Sequence, residues 1–183
     1  MIYSFSLQAV AVAVGLLYFA LHLPAALQPA RMAPALRRFP RSVPVGIALL
    51  AVGVVWGTWL AATIDLGEFG PLRAKLVVAS VVLGAAMIAW SREFLAVRGL
   101  AVLLLLGANV LLDAAFLRDE PAKLVIVAVA YAWIVAALVL LFSPFRLRDL
   151  IAFATVSPAR LRAFSWAGAG FGLALVFLGL FVY

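Results

Sequence analysis

Few residues in this chain can do chemistry, and the most conspicuous is a carboxylate in apolar surroundings. Asp113 sits in the run Leu-Leu-Asp-Ala-Ala, with Asn109 four residues before it. That spacing puts the two on nearly the same face of a helix. Arg98 lies eleven residues before Asn109, about three turns, and falls on that face too. An ionisable group inside a membrane span is costly and marks a functional suspect. A stripe of Arg98, Asn109 and Asp113 therefore reads as the lining of a solute path or a proton relay. The favoured reading is structural: Asn109 and Asp113 bond neighbouring helices while Arg98 and Asp113 reach the two interfaces.

His22 is the only histidine. One imidazole cannot give bis-histidine haem ligation, which leaves a single magnesium-type ligand or a quinone contact as the cofactor role for His22. An interface residue is the plainer reading, and no cofactor is expected. The chain has no cysteine, which excludes disulfides, thiolate metal sites and thiol nucleophiles. No HExxH, GxSxG or P-loop pattern occurs. Two carboxylate pairs, Asp65 with Glu68 and Asp119 with Glu120, lie beside Arg73, Lys75, Arg118 and Lys123. Ordinary surface pairing accounts for them, and no metal site is expected.

The elements that carry these residues follow from composition. Of 183 residues, 68% are hydrophobic and 11% charged, where soluble domains run near half and a quarter. A chain of this size buries only about 70% of its surface on folding, so a bilayer must act as the apolar solvent. Six stretches reach the roughly 20 apolar residues needed to span, at about 2–23, 43–64, 71–90, 95–117, 121–142 and 163–182. The first is expected to stop at Pro24. It has no charged residue before Arg31 and lacks a basic leader, so it reads as a retained helix. The expected fold is all-α: a single transmembrane domain over 1–183, a six-helix bundle with short loops.

Charge supports the count. The connections after the first, third and fifth spans hold Arg31, Arg37, Arg38, Arg41, Arg92, Arg146, Arg148, Arg160 and Arg162, and Arg98 just inside the fourth span brings that side to ten. The other two hold Arg73, Lys75, Arg118 and Lys123, four in all. This alternation is the positive-inside pattern of a bacterial inner-membrane protein with both termini periplasmic. Net charge is +7, but basic residues between spans point to anionic lipid rather than nucleic acid.

Two connections, Pro29 to Pro40 and Phe145 to Val156, interleave apolar and basic residues. Both read as short amphipathic helices in the interface, with Arg31, Arg37, Arg38, Arg146 and Arg148 at lipid headgroups. Gly53 with Gly57, and Gly168 with Gly172, are small-residue pairs that let helices approach closely, within the bundle or against a partner. Trp56, Trp59 and Thr63 line a stripe beside the first pair. A weak parallel similarity links the segment that begins at Gly46 (GIALLAVG…PLRAKLVVAS) with the one that begins at Gly99 (GLAVLLLL…EPAKLVIVAV); chance matching in low-complexity apolar sequence is the favoured reading and duplication the alternative.

With no catalytic signature, the sequence favours a non-catalytic structural or accessory subunit, partnered by lipids and by other membrane subunits or itself. A small solute or proton transporter using the stripe is the alternative, and a lipid-modifying enzyme using interfacial arginines comes third.

Overall fold

A computed structural model describes residues 3–90, 92–116, 118 and 120–183. Ile2 and Leu117, expected as span ends, and Asp119, expected in a surface pair, lie outside the described residues. The described residues form eight α-helices: α1 Leu7–Leu27, α2 Pro29–Arg38, α3 Val43–Thr63, α4 Arg73–Trp90, α5 Leu95–Ala115, α6 Lys123–Phe142, α7 Phe145–Ala154 and α8 Pro158–Phe181. Short 3-10 turns at Phe39–Arg41 and Gly67–Leu72 precede α3 and α4. No strand occurs among the described residues. Among the described residues, six helices are long and apolar enough to cross a membrane: α1, α3, α4 with its leading turn, α5, α6 and α8. The chain is an all-α, multi-pass membrane protein. Six spans bring both ends to one side, the terminal side, and leave α2 and α7 on the opposite side.

Helix limits differ from expectation for local reasons. α1 runs through Pro24 to Leu27, and the Gln28 N–H closes its last turn on the Pro24 carbonyl at 2.8 Å. Proline removes one N–H but does not end a helix whose neighbours hold it in place, as is common in membranes. At the other end of α1, Ser6 caps the helix by accepting the Ala9 N–H at 3.1 Å. α8 starts at Pro158 rather than near Ala163, because Ser157 caps it through the Arg160 N–H at 3.2 Å and Pro158 suits the first turn. Arg160 and Arg162 thus lie on α8, and the Arg160 guanidinium sits 4.6 Å from the Phe153 ring centre. Phe94, which opens α5, takes a left-handed conformation with φ 57°.

The spans form an open arrangement. α1 packs extensively on α8, α6 on α5, and α3 on both α5 and α4; α4 packs extensively on α3 alone. Glycines bring two pairs of helix backbones into contact. A Cβ at Gly15 would lie 2.5 Å from the Gly172 carbonyl oxygen, and one at Gly172 would lie 2.6 Å from the Gly15 oxygen. The antiparallel α1 and α8 backbones therefore touch. Gly46 and Gly99, which begin the two similar segments, meet at the parallel crossing of α3 and α5: a Cβ at Gly99 would lie 3.3 Å from the Gly46 oxygen. Gly53 faces Val102 of α5, whereas Gly57 and Gly170 face open space.

Replacing Gly172 by Leu should lower the thermal midpoint of the purified protein by several degrees, since forcing bulk into a packed contact costs roughly 1–3 kcal/mol. Gly170→Leu, two residues away on the open face, should leave the midpoint unchanged.

Candidate functional site

Polar groups at membrane depth need partners, because hydrocarbon offers none. Where the polar atoms of this chain go therefore defines the candidate site, which is built around α1.

At the terminal side, the segment before α1 turns into the bundle. The Tyr3 N–H donates to Asp113 Oδ2 of α5 at 2.7 Å, and the Trp56 indole N–H of α3 donates to the Tyr3 hydroxyl at 2.7 Å. Tyr3 is buried, stacked on Phe5 and tilted against Trp59. Burial pushes the Tyr3 phenol above its ordinary pKa; the Trp56 N–H on its oxygen works against this, and the nearby Asp113 carboxylate adds to the rise. The hydroxyl stays protonated at neutral pH.

Near the membrane midplane, the Trp133 indole of α6 donates to the Tyr18 hydroxyl of α1 at 2.8 Å. Tyr18 stacks on His22 and meets Phe171 of α8 edge-on. His22 Nδ1 lies 2.8 Å from the Tyr18 carbonyl oxygen. A carbonyl only accepts, so Nδ1 carries the proton. The far edge of the ring lies over Gly168, in the space a Cβ there would need.

On the opposite side, Arg37 of α2 donates through Nε to Thr155 Oγ1 at 2.8 Å and through Nη2 to the Thr155 carbonyl at 2.5 Å. Thr155 is buried at the C-terminal end of α7, where a cation also suits the helix dipole. A second cavity of about 310 Å³ lies here, bounded by Pro34, Arg37, Thr155, Ser157 and Leu161.

Between the first two ties lies an apolar cleft of about 370 Å³. Phe5 and Ala13 line it from the N-terminal limb, Trp56 from α3, Gly107 and Val110 from α5, and Trp133 from α6. Gly107 lets the Trp133 ring lie against α5, since a Cβ there would come within 2.8 Å of the indole. Both tryptophans spend their N–H on tyrosines, so carbon faces the cleft.

The stripe on α5 does not converge. Asp113 is turned to Tyr3, Arg98 is half-buried in the first turn of α5, and Asn109 is exposed on the outer surface. Arg31, Arg38, Arg146 and Arg148 are exposed on α2 and α7. Arg148 pairs with adjacent Asp149 at 2.7 Å, and Arg31 bonds Gln28 at 3.1 Å. Among the described residues, no three His, Asp or Glu side chains gather as a metal site would require.

Sequence reasoning passed over Tyr3, Tyr18, Trp133 and Thr155. The available signal was that a tryptophan or tyrosine at membrane depth must place its N–H or O–H. The partners lie 53 to 118 residues away in the chain, and no local pattern encodes them. The chain matches no protein-family model, no curated protein and no solved structure.

Asp113→Leu should release the N-terminal segment, with faster amide hydrogen exchange at residues 3–6 and a loss of about 1.5–3 kcal/mol for a bond to a charged acceptor. Asp113→Asn keeps an acceptor oxygen and should retain most of the protection.

Proposed function

We propose that this integral membrane protein is a non-catalytic, structural or accessory subunit that docks on a partner in a larger membrane assembly. The observation that carries this reading is Asn109. Its side chain is exposed, six residues (about 9 Å along the axis) inside the terminal-side end of α5. It makes no side-chain hydrogen bond among the described residues. An amide at that depth seeks a hydrogen bond from another helix. Phe116, seven residues on, continues the same face and is exposed.

The open arrangement supports the same reading. α4 leaves Val78, Val82 and Leu83 exposed and leans on α3 alone. A chain built to work by itself has every reason to close its bundle; one that completes its packing in an assembly does not. Asp113 speaks for a structural α5 rather than a relay, since its carboxylate holds the Tyr3 amide. The ten-to-four distribution of basic residues supports placing the protein in a bacterial inner membrane with periplasmic termini. The exposed Arg31, Arg38, Arg146 and Arg148 suit anionic headgroups on the inner leaflet.

A photo-crosslinking amino acid at Phe116 tests the docking face in native membranes. The expected result is a protein adduct of one discrete mass, lost in Asn109→Leu and retained in Asn109→Gln. Adducts with lipid alone, or a protein adduct indifferent to Asn109, would contradict it.

A further inference from the structure

The cleft beside α1 has a definite depth. Its lining on the N-terminal limb starts at Phe5, just before α1, and continues from Ala9 to Val14, a rise of about 8 Å along the helix axis. Those helical positions lie in the terminal-side half of α1, which ends at Leu27. Trp56 lies past the midpoint of α3 towards the same side, as do Gly107, Val110 and Leu111 on α5. Trp133, the eleventh of twenty residues in α6, marks the floor at the midplane. Four helices independently place the cleft in one leaflet. It fits within half of a hydrocarbon core about 30 Å thick.

We propose that this cleft is a binding site for a single hydrocarbon chain of a membrane lipid from the terminal-side leaflet. The volume of about 370 Å³ holds roughly a dozen methylenes at the density of a packed interior. It also falls in the range of built small-molecule sites, about 300–1,000 Å³. The lining is almost wholly carbon, so a headgroup or a polar solute would lose its hydrogen bonds there. The walls are fixed in advance. Tyr3 holds Trp56 and Tyr18 holds Trp133, so a chain that enters does not have to order them. Ala9 and Ala13 keep the α1 wall shallow, which makes them the positions where added bulk fills the cleft. A phospholipid acyl tail and the tail of a prenyl lipid share this chemistry. The site does not depend on the docking face at Asn109, which lies outside the residues lining the cleft.

The test uses the intact chain with Trp59, Trp90 and Trp166 changed to Phe, leaving only the two cleft tryptophans to emit. It is reconstituted into nanodiscs of phospholipid brominated along its acyl chains, beside an unbrominated control. Bromine quenches on contact, so emission should fall by about twofold or more, and Ala13→Phe should remove most of that loss. Ala9→Phe serves as a second filling variant, and an unchanged thermal midpoint certifies the fold of whichever is read. If phospholipid does not quench but one prenyl lipid per chain survives purification and is absent from the filled variant, the same site takes its chain from that source. Quenching equal in parent and filled proteins would mean ordinary annular lipid and would overturn the proposal. So would absence of both quenching and retained lipid.

Discussion

Everything in this structure depends on one constraint: in hydrocarbon, a hydrogen-bonding group must find its partner within the protein. Here that requirement falls on the N-terminal limb. Tyr3 engages α3 and α5, Tyr18 engages α6, and Arg37 engages the end of α7. With the Gly15–Gly172 contact to α8, the limb reaches every other spanning helix except α4. Apolar packing between helices gains little in a membrane, because lipid tails are as apolar as leucine. Close backbone contact and polar pairing are what remain, and this chain uses each at a different place: glycines for the α1–α8 and α3–α5 crossings, tyrosine hydroxyls for α3 and α6.

The same pairs shape the cleft. An indole pinned by its N–H presents its ring and hides its polar edge, so fixing Trp56 and Trp133 also makes two rigid apolar walls. The group that secures the fold and the surface a lipid chain would touch belong to the same residues. Asp113 has a parallel role. A carboxylate in a span invites a transport reading, yet here it accepts a backbone N–H and keeps the segment before α1 folded into the bundle.

Much of the architecture was legible in the sequence. Length and hydropathy locate the six spans, because both are local or additive properties. Pro24 does not end α1, since a proline costs one hydrogen bond, which membrane helices tolerate, while the start of α8 is written plainly in Ser157–Pro158. Asp113 stands out as a charge among leucines, but the Tyr3 N–H that it accepts is a backbone group and carries no signature of its own. Gly168 read as half of a helix-packing pair with Gly172. Gly172 does meet a backbone, whereas Gly168 makes room for the His22 ring, a difference set by α1 and invisible from α8. Asn109 looked like part of the Asp113 stripe because a spacing of four leaves some 40° between them, and the interior edge of α5 falls within that angle.

Two hydroxyls, one before α1 and one within it, each hold one particular tryptophan. The indole N–H resonances of the 15N-labelled protein in nanodiscs test this most directly. Tyr3→Phe should shift and deprotect the Trp56 indole alone, and Tyr18→Phe the Trp133 indole alone, with Trp59, Trp90 and Trp166 unmoved in both. If neither substitution moves its own tryptophan, the N-terminal limb is not what holds the helices together.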